Sequence, residues 1–439
     1  MLGYNKFIPR TRGQRGLRIL ALDGGGSRGV VTLQAIKAIC EKTGKQPWEY
    51  FDMIVGTSTG AIISFLVALK LKNIDEAIEK YDELVPKIFE KSSLPSAMQT
   101  AKQLITTASY SEEPFQQILK EILGETSMVD SRFDPKVPLV FAVASKMTSN
   151  PTKLVLFRNY NYAVEGRADK IKSVDEEVVV EVEEKSFLDN VGGVMFEEFN
   201  NLYSLTGPSL ILNYTSAVEG DATYLDTLEQ PAAEPVEDDE EEENKVPWYF
   251  PDGRCGRHDG SFRVLARVAL RASTAAPTIF KPVLMDEEFV VDGGVAASNP
   301  AAVALHEASC VYPNVPVELL ISCGTGGFVE EKMVPKLGWD AIIGQIVNSA
   351  TDGEATHEVL LDLLPRQGKV GALKRLKRKF FGSGSVRTKY YRFNPQIGLP
   401  NDYAIDETDP KLLARLKEIC AEYMSTGERV KWLDEIKNL

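Results

Sequence analysis

Three stretches of this 439-residue chain hold side chains able to serve as a nucleophile, a proton acceptor and an anion cradle. The first is Gly56-Thr57-Ser58-Thr59-Gly60, set between the apolar run Asp52–Val55 and the apolar segment Ala61–Leu71. A serine on a sharp turn from strand to helix is a nucleophile elbow: glycines on both flanks remove Cβ clashes, and the hydroxyl is pushed out above a helix N-terminus whose dipole favours an oxyanion. The same residue types also make plain polar turns, and the flanking strand and helix are what separate the two readings. The second stretch is Asp292-Gly293-Gly294, closing the apolar run Glu288–Asp292. A carboxylate at the carboxyl end of a strand is where α/β enzymes keep catalytic groups, although an Asp-Gly pair alone is a common turn. The third is Asp23-Gly24-Gly25-Gly26-Ser27-Arg28-Gly29, after the apolar run that starts at Leu17. Successive backbone N–H groups at a helix N-terminus serve equally well as an oxyanion hole or a phosphate cradle.

A serine nucleophile needs a base, and the chain has three histidines, His258, His306 and His357. In a Ser, Asp, His chain order the base would be His306 or His357. Both lie in helical patterns, Ala304-Leu305-His306-Glu307 and Ala355-Thr356-His357-Glu358, rather than on a loop after a strand. They read as structural or surface residues, which leaves Asp292 as the better proton acceptor. The glycine loop also satisfies the Gly-x-Gly-x-x-Gly dinucleotide pattern. That fingerprint wants an acid ending the second strand. Here the second strand ends in Gly-Thr-Ser-Thr-Gly and Asp52 begins it, so a dinucleotide reading is disfavoured.

The elements that must carry these residues follow from hydrophobic periodicity. A short buried strand from Leu17 leads into the glycine loop and a helix from about Val30 to Lys42, stopped by Gly44. A second strand, the serine turn and an apolar helix to about Leu71 repeat the plan, and two strand–glycine–helix units in so short a span predict a parallel sheet. Residues 74–127 are mostly helical by pattern, and Val137–Ser145 and Lys153–Arg158 read as strands. A helix through Arg271, the strand Glu288–Asp292, a helix opened by Asn299-Pro300 and the buried strand Val317–Cys323 follow. The last hundred residues read as helical.

Asp-Gly-Gly-Gly-x-Arg-Gly, Gly-Thr-Ser-Thr-Gly and Asp-Gly-Gly, in that order, resemble the patatin-like phospholipase family, and most closely its calcium-independent gamma-type phospholipases A. The resemblance continues through Phe157-Arg158-Asn159-Tyr160, Ala269–Ser273, Ala275-Ala276-Pro277, Asn299-Pro300, Ser322–Gly326, Val347–Asp352 and Tyr391–Pro395. It covers residues 17–160 and 260–400 or so, with Cys323 standing where relatives often have an aliphatic residue. It implies a three-layer α/β/α sandwich with a mostly parallel sheet, related to α/β-hydrolases, and a Ser–Asp dyad. Ser58 would be the nucleophile and Asp292 the proton acceptor. Backbone N–H groups of Gly24, Gly25, Gly26 and Arg28 would form the oxyanion hole, and Gly29, Gly56, Gly60, Gly293 and Gly294 complete the motifs. Neither histidine, metal nor cofactor is implied in catalysis.

Composition sets the remaining expectations. The net charge of −13 is unevenly spread: residues 161–250 carry 23 acids against 5 bases, which leaves the rest at +5. That mild excess argues against nucleic-acid binding and is compatible with an anionic membrane surface. The segment 161–250, with its run Glu237–Glu243, reads as an acidic and partly disordered insertion in a catalytic domain spanning 17–305. Residues 1–16 read as a basic N-terminal arm, and 306–439 as a strand and helices packing on the catalytic domain. The run Lys374, Arg375, Lys377, Arg378 and Lys379 could meet anionic lipid headgroups, or be a solvated helix face. Five cysteines without Cys-x-x-Cys spacing argue against a disulfide scaffold or a zinc ribbon and fit a reducing compartment. No apolar run approaches the ~20 residues needed to span a bilayer. Taken with these expectations, the resemblance implies a cytoplasmic, peripherally membrane-associated lipid acyl hydrolase that cleaves glycerophospholipid esters without calcium. An acyltransferase, a lysophospholipase, or a galactolipid or neutral-glyceride hydrolase using the same pair is the alternative, and a non-catalytic membrane-binding scaffold is a more distant one.

Overall fold

The computed structural model describes residues 15–89, 110, 112–160, 256–277, 279–285, 288–312, 315–329, 352–364, 388–399 and 402–439. The acidic stretch 161–250, the basic run 374–379 and residues 347–351 lie outside them, as do all but two residues of the N-terminal arm.

Leu17–Leu22 forms strand β1, with all six side chains buried. An unbroken buried run is the mark of a parallel strand covered on both faces. Met53–Thr57 is β2, Leu139–Lys146 β3, Lys153–Arg158 β4 and Asp259–Ser261 β5. Val283–Met285 and Glu288–Asp292 are β6 and β7, and Val317–Cys323 is β8. Gly327–Phe328, Lys389–Phe393 and Gln396–Gly398 are β9, β10 and β11. The main sheet runs β10-β8-β1-β2-β3-β4-β5, with β7 also on β3 and β6 on β7. From β10 to β3 every pairing is parallel, whereas β4 and β7 meet β3 antiparallel.

Successive side chains of a strand point to opposite faces, and two cores result. Leu20, Leu22, Ile54, Val140, Ala142, Ile321 and Phe393 join one cluster. Leu17, Ile19, Ala21, Met53, Val55, Phe141 and Leu320 join the other. Helices α1 (Gly29–Thr43), α2 (Thr59–Ser64), α3 (Ile74–Ile88), α4 (Glu113–Leu123) and α5 (Ala266–Ser273) cover the first face. Helix α6 (Ala301–Val311) and Leu360 of α7 (Glu354–Leu363) cover the second. Helices α8 (Pro410–Met424) and α9 (Glu428–Lys437) pack on α1 and complete the first layer. The architecture is the expected three-layer α/β/α sandwich with a mostly parallel sheet.

Three local expectations change. Gly44 ends α1 in the left-handed conformation as read from the sequence, with φ 69°, but the apolar helix after Ser58 begins at Thr59 and passes into a π-helix over Phe65–Leu69. The C-terminal region is not wholly helical, since β10 is an edge strand of the main sheet. Its segment Lys-Tyr-Tyr-Arg-Phe is short and carries a lysine and an arginine, which hides the strand signal. Arg15, assigned to the basic arm, is anchored instead: its guanidinium grips both carboxylate oxygens of Asp52, at 2.7 and 2.8 Å.

Candidate active site

The parallel register places the carboxyl ends of four strands side by side. Leu22 pairs with Gly56 and Cys323, and Cys323 with Phe393. The glycine loop after β1, the serine turn after β2, the Gly324–Gly326 turn after β8 and Asn394 after β10 therefore share one edge of the sheet.

Ser58 has φ 54° and ψ −121°. A non-glycine residue in this region is strained and is held only by its surroundings. Those surroundings are close: a Cβ on Gly56 would overlap the Gly60 backbone, and one on Gly60 would overlap the Leu22 carbonyl. The Ser58 N–H donates to Ser273 Oγ of α5 at 3.2 Å, and Ser273 Oγ donates to Val143 O at 2.6 Å. The Ser58 carbonyl starts α2 by accepting from Ala61 N at 2.8 Å. Ser58 itself is partly exposed while its neighbours on both sides are buried. This is the strand–turn–helix context that a nucleophile elbow requires.

Sheet register brings Asp292 to this turn. β2 leaves β3 at Thr57 opposite Val143, and β7 joins β3 at Asp292 opposite Ala144. Since β4 holds the other flank of β3 at Ala144–Lys146, β7 lies on the flank that β2 has vacated. The two strands run toward each other, so their carboxyl ends meet. The Asp292 carboxylate is 4% exposed and accepts the Gly294 N–H at 2.7 Å. Burial pushes its pKa up to about 6, against the opposing pull of the Ser58 hydroxyl and the Gly294 N–H. Thr57 Oγ1 donates to Ala297 O at 2.9 Å and ties the segment after Asp292 to the serine turn.

The glycine loop is fastened from several sides. Asp23 N donates to Cys323 O at 3.0 Å, Thr325 Oγ1 to Gly24 O at 3.0 Å, and Ser27 N to Ile405 O at 2.8 Å. The Gly24 amide, counted from the sequence among the cradle donors, already donates to Ser298 O at 3.1 Å. Arg28 folds back over its own loop, with Nε donating to Gly25 O at 3.3 Å and the guanidinium 4.8 Å above the Phe328 ring. Burial lowers its pKa to about 10.

Behind the loop lies a charged cluster absent from the motif reading. Arg392 of β10 donates to Asp23 Oδ2 at 2.6 Å, to Glu354 Oε1 at 2.7 Å and to Ser322 Oγ at 2.8 Å. Burial raises the Asp23 pKa to about 6, with Arg392 pulling it back down. Two acids facing one buried cation in a strand not expected from the sequence left no local signal; the buried arginine of Tyr391–Pro395 was its only trace. The three histidines take no part in the serine site. His306 accepts from Arg257 N at 3.2 Å and stands edge-on to His258, with ring centroids 5.7 Å apart; His357 bonds Tyr390 OH at 2.9 Å. Cys40, Cys310, Cys323 and Cys420 are buried, and none of the four is in a disulfide. Among the described residues no group of three or more His, Cys, Asp or Glu could hold a metal ion, and no helix is long and apolar enough to cross a membrane.

Comparison with known proteins bears on this arrangement. The family profile described as patatin-like phospholipase matches residues 20–305. Calcium-independent phospholipase A2-gamma of Rattus norvegicus is 26% identical over 440 residues, which is 99% of this chain and 42% of that protein. Phospholipase A I of Arabidopsis thaliana is 26% identical over 482 residues, 100% of this chain and 30% of that protein. The cUMP-AMP-activated phospholipase of Escherichia coli is 35% identical over 124 residues, 28% of this chain and 37% of that protein. The chain thus spans less than half the length of these relatives. Among solved structures, VipD from Legionella pneumophila aligns over 96% of this chain and 67% of its own, at 12% identity and a TM-score of 0.35.

Proposed function

This chain belongs to the patatin-like phospholipase family, and from that premise we propose that it is a lipid acyl hydrolase. It cleaves fatty-acyl esters of glycerophospholipids through Ser58 and Asp292, without calcium and with no histidine in the reaction. The observation that carries the reading is the end-to-end meeting of β2 and β7 on one flank of β3, which sets a buried carboxylate against the hydroxyl of a strained elbow serine.

The chemistry follows from the groups present. An ordinary aspartate, with a pKa near 3.9, is a weak base toward a serine hydroxyl. Burial raises Asp292 to about 6, which leaves it ionised at neutral pH while improving its match to the proton it must accept. Ser58 Oγ attacks the ester carbonyl as its proton passes to the carboxylate. The carbonyl oxygen takes the negative charge, and backbone N–H groups of Gly25, Gly26 and Arg28 and of the α2 N-terminus stabilise it, each well-placed donor contributing on the order of 10²–10³ in rate. Collapse of the tetrahedral intermediate breaks the bond to the lysolipid oxygen, which leaves with the proton from Asp292. The acyl group stays on Ser58 until a water, deprotonated by Asp292, releases the fatty acid.

The test is fatty-acid release from mixed phospholipid vesicles with a chelator present, for the parent chain, Ser58→Ala and Asp292→Ala. The parent should release fatty acid, and both variants should fall to background while keeping the parent's circular dichroism. Activity that survives in Ser58→Ala would identify another nucleophile. Transfer of the acyl group to an added alcohol in preference to water would make the protein an acyltransferase on the same pair.

A further inference from the structure

Tyr81 lies in the middle of α3, whose apolar stripe packs on the first core, and at 1% exposure it reads as one more core aromatic. Its hydroxyl, however, is at the junction of the two functional loops. It donates to Gly26 O at 2.8 Å and lies 2.5 Å from Thr59 Oγ1. A phenol has one proton. With that proton given to Gly26 O, the Thr59 hydroxyl must donate to the Tyr81 oxygen, and the two bonds form a directed chain from Thr59 through Tyr81 to Gly26. Thr59 immediately follows the elbow serine, and Gly26 is the third glycine of the loop.

We propose that Tyr81 is a positioning residue that holds the glycine loop in register with the nucleophile elbow. The reasoning is geometric. A peptide unit is planar, and its C=O and N–H point in opposite directions. The unit joining Gly26 to Ser27 is gripped at both ends: its carbonyl by Tyr81 OH, and its N–H by Ile405 O at 2.8 Å. Held in that plane, the loop cannot swing its preceding amides away from the turn. Because the same phenol is bonded to Thr59, the fixed plane is referred directly to the elbow rather than to the distant body of the helix. Gly29 also finds its reason here. A Cβ at that position would overlap both Tyr81 OH and Thr59 Oγ1, so the last glycine of the loop motif makes room for the bridge. Burial raises the Tyr81 pKa, so the hydroxyl stays protonated and the donor is permanent.

This inference rests on Ser58 being the nucleophile, and its test keeps the two claims apart. Tyr81→Phe, Thr59→Val, Thr59→Ser and the Tyr81→Phe/Thr59→Val pair would be compared with the parent and Ser58→Ala on a soluble short-chain p-nitrophenyl ester. Thermal unfolding would set the folded fraction of each. Since a misplacement of about 1 Å can cost on the order of 100-fold, Tyr81→Phe should lower kcat about 10- to 100-fold with KM changed less than about twofold. Thr59→Ser, which keeps the hydroxyl, should remain near the parent, and the double variant should be no slower than the worse single one. Phosphonylation of Ser58 by a fluorophosphonate probe should slow in step with kcat. A Tyr81→Phe protein with parental kcat, or one whose loss is matched by its loss of folded molecules, would overturn the proposal. Turnover by Ser58→Ala at the parent's rate would instead overturn the assignment of the nucleophile.

Discussion

Asp292 carries its charge where charge is disfavoured, and that strain is measurable apart from activity. Its carboxyl has a folded-state pKa raised from 3.8 to about 6 by burial. The native state therefore binds more protons than the unfolded state between pH 4 and 6, and stability from this group falls as pH rises through that window. Above pH 6 the full cost of the buried charge is present. Asp292→Asn keeps an oxygen to accept the Gly294 N–H and removes the charge. It should be more stable than the parent at pH 8 by roughly 1–3 kcal/mol, and the difference should shrink at pH 4. Asp23 titrates in the same range but is common to both proteins, so it cancels in the comparison. The catalytic prediction has the opposite sign. In the proposed mechanism Asp292 works as a carboxylate, so kcat/KM of the parent should rise with pH to a plateau above about 7, and Asp292→Asn should lose on the order of 10²–10⁴-fold. Urea denaturation of both proteins at the two pH values, with a pH–rate profile, tests both halves; a destabilised Asn variant at pH 8 would contradict the first. The places of Ser58 on a strand-to-helix turn and of Asp292 at a strand end were legible in the sequence because glycines mark the backbone around them. Tyr81 was not, because a buried tyrosine on an amphipathic helix has the same pattern as a core residue until its hydroxyl partner is known.

At the scale of elements, six of the eleven described strands were legible to within a residue or two, because buried strands show as short apolar runs. What the runs do not contain is which strands meet end to end: the antiparallel arrival of β7 on β3 is a matter of register. β10 was missed for a different reason, since its arginine makes sense only beside Asp23 and Glu354. That pairing makes a quantitative prediction. The side chains of Arg392 and Asp23 are each 4% exposed, whereas Glu354 is 40% exposed. Removing one member of a buried pair leaves an uncompensated charge at a cost of about 3–5 kcal/mol, while an exposed pair is worth about 0–1. Arg392→Gln should therefore lower the urea midpoint far more than Glu354→Gln does. Asp23→Asn in the same chain should recover part of the loss. Equal effects of the two single substitutions would mean that the cluster does not bind β10 to the end of β1 in the way its geometry indicates.

The molecule as a whole needs residues beyond the matched family region to complete its site. The family match ends at residue 305, yet the loop that follows β1 is held by groups later in the chain: Cys323 O, Thr325 Oγ1, Arg392 and Ile405 O. β1 itself, buried on both faces, takes one of its two strand partners from β8. A fragment ending at 305 would turn β1 into an edge strand with a row of unpaired backbone groups and a fully apolar sequence around Arg18, which is a template for aggregation. It would also leave Asp23 without its cation. Fragment 1–305 should accumulate as insoluble protein, and whatever stays in solution should not react with a fluorophosphonate probe at Ser58, whereas the full chain does. A soluble 1–305 fragment that labels at the parent's rate would show that the later strands only decorate a self-sufficient site. The composition of the chain, which divides sharply at 161–250, points to a boundary inside the matched region. The physical boundary of the catalytic unit follows hydrogen bonds instead, and those return to the glycine loop from as far along the chain as Ile405.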